Sequence, residues 1–207
     1  MIAGLLLAAG GARRFGSQKL LATVGDDRPL VLHTAVALRA TVDVMVVVVG
    51  SEAESVARAL DGVDCTIVAN DAWAEGLGGS LRAGIRALPS HTAAVVIALG
   101  DQPYVDPAVT RGIIDAWRTT GASIVAARYA GTRGHPVLFD RSMFAELEGV
   151  SGDSGARGVI ERDLSRVAYV DVDVAAPPDV DTTADLAVVN AGHSTHHSAV
   201  QSTRRGQ

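Results

Sequence analysis

The sequence has a single cysteine, Cys65, in 207 residues. It can form no internal disulfide, which agrees with a reducing compartment. No apolar run approaches the ~20 residues that a membrane span needs. The longest, Val44–Val49, is of strand length. A basic leader is also missing. The chain turns apolar at Ile2, and Arg13, Arg14 and Lys19 follow the apolar stretch, the wrong order for a signal peptide. These absences predict a cytoplasmic chain with no membrane partner. Basic charge is in short supply too: 18 Lys and Arg stand against 23 Asp and Glu, a net charge of −5. An acidic chain without a basic stripe is not expected to bind long nucleic acid. A small polyanion such as a triphosphate stays within reach, because it needs only a pocket of N–H groups and a few cations.

The familiar nucleotide motifs are missing. There is no G-x-x-x-x-G-K-[ST] and no G-x-G-x-x-G. The motifs pair no His with Ser or Cys as a nucleophile, and no internal repeat is visible.

What is present is alternation. Apolar runs at Ile2–Ala8, Val44–Val49, Thr66–Ala69, Ala94–Leu99, Ser123–Ala127 and Ala168–Val174 read as strands. Several are continuous and rich in Val and Ile, the pattern of strands covered on both faces of a mostly parallel sheet. Helical patterns lie between them, near Leu30–Ala40, Ser51–Leu60, Ser80–Leu88, Pro107–Trp117 and Ser154–Arg162. Asp106-Pro107 is a helix start, an N-cap acceptor followed by proline, and Pro29 reads the same way. The expected fold is a three-layer α/β/α, doubly wound, Rossmann-like sheet. We expect one domain over residues 1–190 and a flexible polar tail over residues 191–207. The tail's His193, His196 and His197 only hint at metal binding, and a solvated tail accounts for them better.

Ligands in such a sheet bind outside the carboxyl ends of the strands. The first strand ends in Leu7-Ala8-Ala9-Gly10-Gly11 and continues to Arg14 and Lys19. The glycines let backbone approach a ligand, and successive N–H groups make an anion-binding concavity. Arg14 and Lys19 add fixed positive charge. A plain tight turn is the alternative for the glycines alone. The strand Ala94–Leu99 ends in Gly100-Asp101-Gln102-Pro103, which aims Asp101 at the same crevice. Hard carboxylate oxygens suit Mg²⁺, the expected cofactor, although Asp-x-Pro is also turn chemistry.

At these residues the chain resembles a known family. L-A-A-G-x-x-x-R-x-G-x-x-K is similar to the signature of the nucleotidyltransferases that build dinucleotide forms of the molybdenum cofactor, within the wider NTP-transferase superfamily. The resemblance implies that the loop wraps a triphosphate and that Arg14, Lys19 and Asp101 carry the catalysis. Ala12 and Phe15 stand where serine and methionine are usual. Gly-Asp-Gln-Pro, together with Ala9 where guanylyl relatives tend to have a second glycine, resembles the cytidylyltransferase branch. Asp179-Val180-Asp181-Thr182-Thr183-Ala184-Asp185 is similar to the closing D-x-D-T-P-E-D motif, with Thr183 and Ala184 in place of Pro and Glu. This makes Asp181 a second metal ligand, with a helix cap as its equal rival. Gly78, Gly79 and Ser80 match a segment that lies against the base, and Ser80 can instead cap a helix. Arg133-Gly134-His135-Pro136 and Gly152-Asp153-Ser154-Gly155-Ala156-Arg157 match elements on the acceptor side. They offer His135, Asp153 and Arg157 as acceptor contacts, against simple packing for His135 and an Asp153 pair for Arg157. The implied reaction transfers CMP from CTP to a molybdopterin-type acceptor, with a molybdoenzyme as candidate recipient of the product. The alternatives are GTP as donor, a sugar phosphate as acceptor, and a non-catalytic nucleotide- or cofactor-binding chaperone.

Overall fold

The computed structural model describes residues 1–11 and 15–191. Arg14 and the histidines of the expected tail lie outside the described residues. The strands are β1 (Ile2–Ala8), β2 (Thr23–Val24), β3 (Arg28–Pro29), β4 (Val44–Val49), β5 (Thr66–Ala69), β6 (Ala94–Leu99), β7 (Ile124–Tyr129), β8 (Thr132–Asp140) and β9 (Val167–Val172). The helices are α1 (Leu30–Arg39), α2 (Ala53–Arg58), α3 (Leu77–Arg86), α4 (Pro107–Thr120), α5 (Phe144–Glu148) and α6 (Arg157–Arg162). A further helix, α7, spans 183–191. None of the described helices is long and apolar enough to cross a membrane.

Seven strands form one sheet in the order β5-β4-β1-β6-β8-β7-β9. β1 lies between β4 and β6 and runs parallel to both. All seven of its residues are buried. Its side chains alternate between two cores, as the pleat requires. Ile2, Leu6 and Ala8 pack toward α1 and α4, whereas Ala3, Leu5, Leu7 and Ala9 pack toward α3, α5 and α6. The molecule is therefore the expected three-layer, mostly parallel α/β fold.

β8 is the departure. It runs antiparallel to both β6 and β7, and the alternation of strand and helix did not predict it. The reason lies in Gly134 and Pro136, which read as breakers. The register steps from Ala126↔Val137 to Ala127↔Gly134, so His135 and Pro136 stand outside the ladder. A bulge removes the need for the hydrogen bond that proline cannot make. Because β8 is reversed, its first residues lie at the end of the sheet where β6 and β7 finish.

Helix starts also shift. Asp106 caps α4 as expected, accepting from the Ala108 N–H at 2.7 Å. Pro29 is the N-cap residue of α1 rather than its first turn. α3 begins three residues before its expected start, with Gly76 at the N-cap, so Ser80 sits within the helix and is not its cap.

The chain leaves β1 toward β4 and β5 on one side, then crosses to β6 on the other. This reversal leaves a crevice above the carboxyl ends of β1, β4 and β6, the usual ligand position in an open α/β sheet.

Candidate active site

The crevice is built first by the loop that follows β1. The Ala9 carbonyl accepts from the Ser51 N–H at 3.2 Å, tying the loop to the end of β4. The Gln18 side chain reinforces this tie. Its amide donates to the Ser51 carbonyl at 2.9 Å and to the Gly10 carbonyl at 3.3 Å. Its oxygen accepts from the Leu20 N–H at 3.4 Å and starts the short 3₁₀ turn Lys19–Leu21. Gln18 is buried, and nothing in the motif pattern singled it out. Among the described residues the N–H groups of Gly10 and Gly11 find no acceptor within the chain, which leaves two donors for a ligand.

The 3₁₀ turn carries Lys19 under the loop. Its ammonium lies 2.7 Å from Asp101 Oδ2 and 2.8 Å from Asp181 Oδ1. The Lys19 side chain is only 11% exposed. Burial pulls its pKa down, but Asp101 and Asp181 outweigh that and hold it above the ordinary 10.5. Three distant segments thus meet at one cation.

Each carboxylate is held by its own element. Asp101 follows β6, whose end is fixed by the Gly100 N–H donating to the Leu7 carbonyl at 3.0 Å. The Val180 N–H donates to the Asp101 carbonyl at 3.1 Å, and the Gln102 amide donates to Asp179 Oδ1 at 2.6 Å. These bonds pin residues 179–181 to the end of β6. α7 then opens with a reciprocal cap. Asp185 Oδ2 accepts from the Thr182 N–H at 2.8 Å, and Thr182 Oγ1 accepts from the Asp185 N–H at 3.2 Å. Thr182 and Asp185 thereby do the capping, while Asp181 faces Lys19.

The residues present suit a divalent cation. Asp101 Oδ1 is buried and accepts no hydrogen bond among the described residues. A buried carboxylate oxygen without a donor is costly unless a cation or ligand meets it. No cluster of three or more His, Cys, Asp or Glu occurs among the described residues, so the chain offers a pair of carboxylates. Magnesium commonly takes one or two carboxylates and completes its shell with phosphate and water.

These groups border a cleft of about 460 Å³. Of the residues singled out in the sequence, Leu7, Ala8, Ala9, Gly10, Gly11, Lys19, Ser80, Asp101, Asp153 and Asp181 line it. Gly76 and Leu77, from the same glycine-rich segment as Ser80, line it too, and Trp73, which no motif singled out, joins them. Gly78 and Gly79 do not. A Cβ on Gly78 would stand 2.9 Å from the Ser151 backbone, so this glycine serves helix–loop packing. Gly79 faces Asn70 and Ala72. Ser80 Oγ accepts from the Asn70 amide at 3.0 Å. Asp153, one of the expected acceptor contacts, closes over Gly76, and a Cβ there would stand 2.6 Å from its Oδ1. Arg157 pairs with Glu161 at 2.7 Å rather than with Asp153, and its side chain is 74% exposed. His135 lies outside the cleft wall, and its carbonyl accepts from the Tyr129 hydroxyl at 2.9 Å. Burial holds its imidazole below the ordinary 6.5. The nearby Asp179 and Asp101 carboxylates oppose this, and Arg133 adds to it.

Comparison with known proteins agrees with this geometry. Residues 4–167 match the family model of the MobA-like NTP transferase domain. The chain belongs to the MobA-like NTP transferase family. Membership supports nucleotidyl transfer from a nucleoside triphosphate as its activity. Among its relatives, nicotine blue oxidoreductase of Paenarthrobacter nicotinovorans is 31% identical over 192 residues, covering 87% of this chain and 92% of that protein. A probable molybdenum cofactor guanylyltransferase of Chloroflexus aggregans is 30% identical over 130 residues, covering 62% of this chain and 59% of that protein. The crystal structure of Rv0371c from Mycobacterium tuberculosis superposes with a TM-score of 0.80 at 33% identity, covering 92% and 97% of the two chains. Rv0371c has also been solved in complex with manganese, with a TM-score of 0.76, 32% identity and the same coverage of both chains. The family match stops at residue 167, short of Asp181. In this MobA-like transferase, the bond from Val180 to Asp101 brings that last segment into the site.

Proposed function

We propose that this transferase moves CMP from CTP onto the phosphate of a molybdopterin-type acceptor and releases pyrophosphate. The observation that carries the reading is the Lys19–Asp101–Asp181 arrangement beside a glycine-walled cleft at the switch point of the sheet. An acceptor phosphate oxygen attacks the α-phosphorus. The bond from that phosphorus to the bridging oxygen breaks, and pyrophosphate leaves with the electron pair. The acceptor phosphate is anionic near neutral pH and needs no general base. The work left to the chain is positioning and charge neutralisation. Gly10, Gly11, Arg14 and Lys19 take the charge of the leaving pyrophosphate. Leu7, Ala8, Ala9 and Ser80 form the wall for the nucleoside, with Gly78 and Gly79 behind it. Asp153, on the cleft wall, is the residue offered to the acceptor, whereas His135 lies outside that wall and Arg157 is engaged by Glu161. Asp101 and Asp181 are the residues that would hold Mg²⁺, which neutralises triphosphate charge when bound. The manganese complex of Rv0371c supports a divalent cation. We place this reaction in the cytoplasm, with a molybdoenzyme as recipient of the product.

Cytidine is supported by Ala9 and Gly100-Asp101-Gln102-Pro103. A second reading, GTP as donor, is favoured by similarity to the probable guanylyltransferase. Incubation with each of the four NTPs, Mg²⁺ and molybdopterin, following pyrophosphate, separates them. CTP is expected to turn over fastest. Turnover with GTP alone changes the donor, and turnover only with a sugar phosphate changes the acceptor. CTP binding without pyrophosphate release from any acceptor sinks the transferase reading and leaves a carrier. In the same assay, Asp101→Ala is expected to abolish Mg²⁺-dependent turnover. Full activity in that variant removes Asp101 from the metal site.

A further inference from the structure

The segment between β5 and α3 is organised by Asn70. Its side-chain oxygen accepts from the Ala72 N–H at 3.2 Å, and its carbonyl accepts from the Trp73 N–H at 3.1 Å. A short 3₁₀ turn, Trp73–Glu75, then lays the Trp73 side chain across the backbone of two other loops. A Cβ on Gly11 would fall 2.4 Å from Trp73 Cζ3 and 2.7 Å from Cη2. A Cβ on Gly50 would fall 2.5 Å from Trp73 Cβ and 2.7 Å from the Ala9 carbonyl oxygen. Neither glycine has a positive φ, so space rather than backbone conformation demands glycine at both positions. Gly10 is different: a Cβ there would meet nothing within 4 Å. The indole therefore packs directly on Gly11, whereas the side-chain direction of Gly10 is open.

We propose that Trp73 is a positioning residue for the triphosphate, acting through the Gly10-Gly11 turn. This rests on reading the cleft as a nucleoside triphosphate site. Two adjacent glycines have more conformational freedom than any other pair, and ordering them on a ligand costs affinity. Gln18 restrains the turn from one side through the Gly10 carbonyl. Trp73 restrains it from the other with a rigid apolar body on Gly11. The turn is then shaped before the ligand arrives, which lowers the ordering cost of binding.

Inorganic tripolyphosphate is the discriminating probe, because it has phosphates but no base or sugar. Its affinity, and that of CTP, can be measured by calorimetry at fixed ionic strength. Trp73→Ala is expected to weaken both ligands alike, by roughly tenfold, or about 1.4 kcal/mol. Trp73→Phe is expected to recover most of the loss. Gly11→Ala is expected to reproduce the loss in the wild-type background and to add little to Trp73→Ala, where the new methyl has room. Such non-additivity is the signature of direct contact. In a Trp117→Phe background, Trp73 emission is expected to change when tripolyphosphate binds. Normal tripolyphosphate affinity in Trp73→Ala with weakened CTP overturns the proposal and makes the ring a base contact. Additive losses from Gly11→Ala and Trp73→Ala overturn it too. If the wild-type protein binds neither ligand, the nucleotide reading itself fails, and this assignment fails with it.

Discussion

Lys19 concentrates the physics of the site in one side chain. It is almost fully enclosed, yet it sits within hydrogen-bond distance of two carboxylates. Removing one partner from a buried ion pair typically costs about 3–5 kcal/mol, because a charge is left uncompensated. Here two acids share one cation, so Lys19→Met leaves two negative groups facing each other. That variant is expected to weaken CTP binding, measured by calorimetry. It also has a pH signature. The folded-state pKa of Lys19 is raised above 10.5, so the stability it contributes is fully present below that value and is lost as pH rises beyond it. In EDTA, the gap in unfolding free energy between wild type and Lys19→Met is therefore expected to hold steady from neutral pH and to shrink only in alkaline solution. A gap that stays unchanged far into alkaline solution would point to a different charge. Lys19 and Asp101 were legible in the sequence because each occupies a spaced motif at a strand end. Gln18 and Trp73 were not. Their partners, Ser51 for Gln18 and Gly11 and Gly50 for Trp73, are remote in sequence and make no local pattern.

At the scale of elements, continuous apolar runs gave β1, β4 and β6 their boundaries, since strands buried on both faces admit little else; β5 is a mostly exposed edge strand, readable from Ile67 and Val68. β8 escaped because its glycine and proline sit at a bulge and its apolar half is short. α3 began early because Gly78 and Gly79 are poor helix formers, which disguised its first turn. Packing explains Gly78, whose Cβ would meet the Ser151 backbone, and the same holds further along. A Cβ on Gly84 would stand 2.4 Å from Leu5 Cδ1. An exposed helical glycine replaced by alanine usually gains up to about 1 kcal/mol. Gly84→Ala is instead expected to lose about 1–3 kcal/mol through overpacking against β1, read by urea denaturation. The α7 cap gives a second test. Thr182→Ala is expected to cost about 1 kcal/mol, typical for loss of an N-cap. Asp181→Ala is expected to leave that cap intact and to reduce turnover.

Across the whole molecule, the two cores share a single sheet and differ only in which face they cover. Trp73 packs on one face and Trp117 on the other, where its indole N–H donates to Asp140 Oδ2 at 3.1 Å. Unfolding followed separately in Trp73→Phe and Trp117→Phe variants is expected to show coincident midpoints once corrected for each substitution. Separated transitions would mean that the faces melt independently. Because the site is assembled by residue 185, deletion of residues 192–207 is expected to leave pyrophosphate release unchanged.

The meeting of Lys19, Asp101 and Asp181 also has a consequence in time. The cation and its two acids are separated by 82 and 162 positions along the chain. During synthesis the glycine loop and Lys19 emerge early, and Asp101 follows midway. Val180, which anchors the last acid to the end of β6, emerges only near the end. A nascent chain can build most of its sheet and still lack the group that completes the charge balance. On the proposed function, such a chain has its glycine loop, Lys19 and Asp101 but not yet the second acid, Asp181.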